Sequence, residues 1–268
     1  MTTSNYIMDN KDEILRLDLK TDLNVLEKQV LWAGLEPGMA VADMGCGPGK
    51  TTQHLNRMVQ PLGTVTGVDI SQDRIDHANH HYLDKGIRFF LGDVRRPLTH
   101  LGEFDFIFLR FVLEFYRSGA EQIVRNLASL LKPGGILCLI DLDHNCLNHY
   151  GIPPKLESAI NGVMASLEKN TEFDAYAGRK LYAHLYDQAF EDIQVDVSSH
   201  HLIYGDINGS ETFNWGKKIE RAAKNSGYDF KEFDNGYEGF KKTSQAFFNN
   251  PRRFTYTPIV CCRGCKPK

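Results

Sequence analysis

A carboxylate followed by alternating glycines is suited to holding a small polar ligand against bare backbone. The run Asp43-Met44-Gly45-Cys46-Gly47-Pro48-Gly49-Lys50-Thr51-Thr52 has this form. Without a Cβ, Gly45, Gly47 and Gly49 let the chain bend sharply and come close to a ligand. Met39-Ala40-Val41-Ala42 ahead of it reads as a short buried strand, and residues 51–59 behind it read as a helix with Leu55 and Met58 on one face. Such a helix points unpaired N–H groups and its positive dipole end into the turn. Together they make a cradle for a nucleoside-like or anionic ligand at the carboxyl end of the first strand of an open α/β sheet. A dinucleotide fingerprint needs G-x-G-x-x-G, and here Lys50 stands where its third glycine belongs.

Further polar residues close apolar runs downstream. Residues 64–69 read as a second strand ended by Asp69, about 20 residues past the glycines, where an acid accepts hydrogen bonds from ribose hydroxyls in nucleotide folds. Asp69 can instead cap the next helix, although Ser71 is the better cap, with Ile75 and Ala78 facing inward. Residues 87–93 read as a third strand with Asp93 at its end, where an aspartate after glycine is also a common turn residue. The fourth strand, 104–110, is almost continuously apolar, as a parallel strand covered on both faces should be, until Arg110 breaks it. At the mouth of a cleft that cation suits a carboxylate or an anionic substrate. Ser118-Gly119-Ala120-Glu121 has the form of a capping box, and the helix it opens stops at Lys132-Pro133-Gly134-Gly135, before a fifth strand over 136–143.

The acid-x-G-x-G-x-G pattern starting at Asp43 resembles the first motif of the class I S-adenosylmethionine-dependent methyltransferases, and Leu130-Leu131-Lys132-Pro133-Gly134-Gly135 resembles the loop before their fifth strand. The chain is similar to the UbiE-like small-molecule type. The resemblance implies a Rossmann-like α/β sheet, mostly parallel with an antiparallel last strand, carrying helical insertions as a lid. It implies that S-adenosyl-L-methionine binds at Asp43, Gly45, Cys46, Gly47, Gly49 and Ile70, that Asp69 holds the ribose hydroxyls, and that Asp93 bonds the adenine amino group beside Val94. Arg110 would hold the methionine carboxylate. Tyr6, Glu13, Arg16 and Leu17 loosely match a segment that closes over the cofactor in relatives, and Tyr6 and Arg16 are the contacts it implies. The stretch Leu109 to Phe115 resembles the fourth-strand motif, with Phe115 where a histidine often follows the glutamate.

A general base is needed only if the acceptor loses a proton on attack. Asp141, Asp143, His144 and His149 stand near the end of strand five, and His144 is preferred because imidazole titrates near neutrality. Both alternatives, base or ordinary loop histidine, stay open.

At 268 residues with 42% hydrophobic content the chain can bury a sizeable core. It is expected to be one domain, with a core of about 30–144, 177–204 and 252–264 and lid insertions of about 145–176 and 205–250. Residues 12–28 read as an amphipathic helix, 193–204 as a strand and 254–262 as the last strand. The net charge of -3 offers no general pull on nucleic acid, although Arg252, Arg253, Arg263, Lys266 and Lys268 gather at the tail. No secretory h-region opens the chain, so a cytoplasmic protein without a membrane span is expected. His77 and His81, one helical turn apart, and the Cys262/Cys265 pair lack the further ligands a metal needs, so no metal site is expected. The aromatic residues of the insertions and the absence of a basic field point to a small-molecule acceptor. A dinucleotide-dependent (NAD(P)) oxidoreductase and a non-catalytic S-adenosylmethionine-binding module are the rival functions.

Overall fold

The computed structural model describes residues 21–144, 148–207 and 209–268. The alternation of apolar strands and amphipathic helices produces a parallel sheet of β1 (Ala40–Met44), β2 (Thr64–Asp69), β3 (Ile87–Leu91), β4 (Phe104–Arg110) and β5 (Leu131–Leu142), in the order β3-β2-β1-β4-β5. The last strand, β8 (Phe254–Cys265), runs antiparallel beside β5. Two more strands, β6 (Asn148–Tyr150) and β7 (Glu191–Tyr204), both pair with β8 in antiparallel fashion. The Rossmann-like sheet, mostly parallel with an antiparallel last strand, is the expected one.

Helices cover both faces. On one lie α1 (Leu23–Trp32) and α2 (Lys50–Val59), packing Leu26, Val30, Leu55 and Val59 onto Val41, Phe106 and Phe108. On the other, α4 (Ala120–Ser129) and α6 (Leu181–Asp187) pack Ile123, Leu127, Leu181 and Leu185 onto Ile107, Leu109 and Leu137. Between β2 and β3 runs α3 (Gln72–Tyr82). A third core joins α5 (Pro154–Asn170), α7 (Gly209–Ser226) and α8 (Tyr237–Phe248) to Ile203 of β7. The placement follows from strand length. The pairing of β5 with β8 ends at Leu142↔Ile259, whereas β7 follows β8 on to Tyr204↔Phe254. The β7–β8 pair therefore projects past the end of β5, and the three helices cap that projection.

Several local expectations are corrected. Of the helix expected over 12–28, residues 12–20 lie outside the described residues. The Asp22 carboxylate accepts the N–H groups of Asn24 (2.9 Å) and Val25 (3.3 Å), so the described helix begins at Leu23 and runs on to Trp32. The lid insertion expected over 145–176 contains α5, with Pro153 at its N-cap and Pro154 in its first turn, where a missing N–H costs nothing. Leu156, Ile160, Val163 and Leu167 then recur at helical spacing and are buried. The capping box does not form. Ser118 gives both its N–H (2.8 Å) and its hydroxyl (2.6 Å) to Glu172, and Glu121 pairs with Arg125. The basic tail is not a free cationic patch either. Arg253 is buried and donates to the Gly205 carbonyl, Arg263 pairs with Asp192, and Lys266 donates to the Leu131 carbonyl.

Cys261 and Cys262 face opposite sides of the sheet, each in a different core cluster, and no metal-holding group exists among the described residues. No helix among the described residues is long and apolar enough to cross a membrane.

Phe106 is wholly buried on the central strand pair. Replacing Phe106 by Ala is expected to cost about 3–5 kcal/mol, read as a lowered midpoint in urea unfolding.

Candidate functional site

The turn after β1 is built on backbone that only glycine adopts easily. Gly45, Gly47 and Gly49 all have positive φ, at 78°, 57° and 101°. The N–H groups of Gly45 (2.7 Å) and Cys46 (2.9 Å) bond the Val68 carbonyl of the neighbouring strand. A Cβ on Gly45 would stand 2.5 Å from Val112 Cγ2, so this glycine keeps a close approach open. Gly49 has another job. A Cβ there would meet Ala78 at 2.8 Å and Phe89 at 3.0 Å, so its bareness lets α2 seat against α3 and β3.

Two carboxylates hold the turn. Asp69, at the end of β2, accepts the Gly47 N–H (2.9 Å) and the Ser71 N–H (3.0 Å), with Arg74 Nη1 3.5 Å away. Ser71 stands at the N-cap of α3 without a side-chain hydrogen bond, and Asp69 accepts the Ser71 N–H from two residues upstream, an Asx turn that leads into the helix. Asp43, at the end of β1, accepts the Thr52 hydroxyl at 2.6 Å. Burial pushes its carboxyl up to about 7; Thr52 opposes this, Asp69 adds to it and Arg110 opposes it.

These groups surround one cleft of about 130 Å³. The sequence-predicted residues Asp43, Gly45, Cys46, Gly47, Asp69, Ile70, Asp93, Val94 and Arg110 line it, and Gly49 does not. The Cys46 thiol is buried and pushed well above its ordinary range, so it is a neutral wall and not a nucleophile. Asp93 has a partner the sequence reading did not name. Arg95 clamps both of its oxygens at 2.8–3.0 Å and lies over the Tyr116 ring. Burial alone would raise the Asp93 carboxyl, but the Arg95 contacts outweigh it and hold it below the usual range.

Arg110 lies over the Phe111 ring at 4.1 Å and its Nε has no hydrogen-bond partner among the described residues. Burial pulls its guanidinium down to about 10, against the Asp43 and Asp141 charges. Phe111 holds a positive φ of 59°, strained for a bulky residue, and its ring meets His200 at 4.9 Å.

His144 does not line the cleft. It follows β5 with its ring 5.3 Å from Tyr176, and its buried Nδ1 has no partner among the described residues. Asp143 is held by Arg179 at 2.8 Å, His149 meets Thr255 Oγ1 at 2.9 Å, and Asp141 is buried beside Glu114, which together with burial pushes its carboxyl well up. Tyr6 and Arg16 lie outside the described residues.

The sequence reading missed Thr52, Arg74 and Tyr116. Thr52 was findable, since Thr52, Leu55, Asn56 and Val59 fall on one face of α2 and all are buried. For Arg74 the signal was its place beside Ile75 and before Ala78 on the buried side of α3.

The raised Asp43 carboxyl gives a stability test. Its folded pKa of about 7 lies above the usual unfolded value near 3.9, so the folded chain binds the extra proton between them. Its contribution is full below the unfolded value and is lost as pH rises to about 7. Urea unfolding at pH 5 and pH 7 is expected to show wild type losing stability at up to ~1.4 kcal/mol per pH unit more than Asp43→Asn. Equal slopes would show that Asp43 is ionised throughout.

Comparison with known proteins agrees with this geometry. The methyltransferase domain family matches residues 41–135. A trans-aconitate 2-methyltransferase of Delftia acidovorans is 29% identical over 140 residues, covering 52% of this chain and 47% of that protein. A ubiquinone/menaquinone biosynthesis C-methyltransferase of Shewanella sediminis is 25% identical over 185 residues, covering 64% and 70%. The chain spans about half the length of most curated relatives it matches. A phosphoethanolamine N-methyltransferase of Haemonchus contortus, solved with S-adenosylhomocysteine, shares the fold at a TM-score of 0.62 and 14% identity over 100% of this chain and 61% of that one. The glycine turn, the strand order and these matches agree that residues 41–135 carry a methyltransferase domain, on a sheet of the class I S-adenosylmethionine-dependent type.

Proposed function

We propose that the chain transfers a methyl group from S-adenosyl-L-methionine to a small-molecule acceptor. The observation that carries this is the convergence of Asp43, Asp69, Asp93 and Arg110, from the ends or just beyond the ends of four neighbouring parallel strands, on one cleft floored by Gly45 and Gly47. The residues fit that cofactor. Arg110, which lines the cleft, has an Nε without a partner among the described residues. When bound, the cofactor supplies an electrophilic methyl on a sulfonium.

Within this proposal, each Asp69 oxygen takes one backbone N–H and keeps lone-pair capacity for a ribose hydroxyl. Val94, Phe115 and Tyr116 offer apolar walls to a flat base, and Arg110 offers a cation to a carboxylate. Asp93 must share its oxygens between Arg95 and an adenine amino group. The cleft is smaller than the ~300 Å³ of ordinary ligand sites, so its mouth side chains adjust on binding. Tyr6 and Arg16 are proposed to close over the ligand from the N-terminal side. Holding two reactants in line supplies much of the rate for such a transfer. Where the acceptor must lose a proton, His144 has a free Nδ1 to receive it.

The small-molecule reading rests on the capping helices, which stand over the projecting β7–β8 pair as a lid built from residues 145–176 and 205–250 on a single domain. Relatives named for trans-aconitate and for quinone biosynthesis lend it support. The engaged tail arginines give RNA little to hold. Against an oxidoreductase stands Lys50 in place of the third fingerprint glycine.

S-adenosylhomocysteine, and not a nicotinamide dinucleotide, is expected to bind by calorimetry and to raise the melting temperature. Gly47→Val should abolish that binding, because a β-branched residue does not tolerate a φ of 57°. Asp69→Ala should weaken it roughly ten- to a hundred-fold, the value of a hydrogen bond to a charged group. A cofactor analogue without ribose hydroxyls should lose little further affinity in that variant. If Asp69→Ala discriminates against the analogue as strongly as wild type, Asp69 only braces the turn. Binding without release of S-adenosylhomocysteine in the presence of any acceptor would favour the non-catalytic module.

A further inference from the structure

The cap holds a cavity that shares no lining residue with the glycine cleft. It lies between α7 and α8 and measures about 330 Å³, within the range of sites that take small organic ligands. Its apolar wall is aromatic. Trp215 stacks on Phe248 with ring centres 5.0 Å apart and planes 26° from parallel, and Tyr237 lines the same space. An apolar recess of about 40 Å³ continues behind Trp215, Ile219 and Phe248.

Two features say what fits there. The first is charge. Glu220 on the wall is met by Lys224 at 2.6 Å and Lys217 at 3.8 Å, and Lys241 adds a further cation from α8. Lys224 and these neighbours hold the Glu220 carboxyl below its usual range, so cations outnumber the carboxylate around the cavity. The second is an unmet donor. Trp215 is 3% exposed and its indole N–H has no acceptor among the described residues. A buried donor left without a partner is costly, and indoles buried in proteins normally find one.

We propose that this cavity is a second small-molecule site, which takes a planar aromatic carboxylate. The ring would lie along Trp215 and Tyr237, and the carboxylate would complete the indole N–H while facing Lys241. The site does not depend on the methyl-transfer reading, because nothing in the glycine cleft contributes to it.

The test uses the ¹⁵N-labelled full chain, whose two tryptophans give two indole N–H resonances that Trp32→Phe tells apart. Titration with 2-naphthoate is expected to move the Trp215 resonance downfield to saturation. The neutral isostere 2-naphthamide should bind at least about ten-fold more weakly, the size of one charge-assisted contact. Lys241→Ala should bring naphthoate down to the affinity of the amide. S-adenosylhomocysteine affinity in the same samples should stay unchanged by naphthoate. A Trp215 resonance that stays in place through millimolar naphthoate in a folded spectrum overturns the proposal. So does equal affinity for acid and amide, an affinity untouched by Lys241→Ala, or competition between naphthoate and S-adenosylhomocysteine.

Discussion

The hydrogen bond from the Gly47 N–H to the Asp69 carboxylate is the constraint on which the cleft depends. It ties the turn after β1 to the turn after β2, two points that are 22 residues apart in the chain. The same carboxylate starts α3 through Ser71, so one side chain fixes a loop, a strand end and a helix start. Arg74 and the buried surroundings keep it in place. Asp43 stands close by with a different environment: one hydroxyl, no backbone donor at its side chain, and the Asp69 charge beside it. Two aspartates on neighbouring strands thus differ in chemistry because their donors differ.

A second constraint is strand length. Because β8 outlasts β5, its first residues need partners that the parallel sheet does not provide, and β6 and β7 supply them. The projecting ribbon has a face to bury, and α5, α7 and α8 bury it with a core of their own. The cap is therefore attached through the antiparallel strands, and its Trp215 reaches His201 of β7, whose neighbour His200 touches Phe111 at the cleft.

What the sequence made legible was whatever a local break in apolarity announces. The second strand ends at Asp69 and the fourth at Arg110 in the structure as in the sequence, since a charge closes each apolar run. What it hid were choices settled by distant partners. Ser118 and Glu121 spell a capping box, yet Glu172, brought in from the cap, takes the serine. Pro153-Pro154 opens α5, because proline in the first turn of a helix gives up no hydrogen bond. Asp93 was placed correctly at the cleft, while its clamp by Arg95 depends on a turn geometry that composition does not reveal. His144 was chosen for its titration range, and its direction, toward Tyr176, is a tertiary fact.

The position of β8 also sets an order of assembly. This strand is the final element in sequence, yet it is the sole described neighbour of β6 and β7 and the outer neighbour of β5. On a ribosome the parallel half from β1 to β5 has all its partners once β5 has emerged. The 14 residues of β7 must then wait, with both edges open, while α7, α8 and the final strand are made. An unpaired strand of that length is a template for misassociation between nascent chains. Its charged and polar residues, among them Glu191, Asp192, Asp196 and Ser198, act as a safeguard during that interval, keeping the waiting edge soluble until β8 arrives.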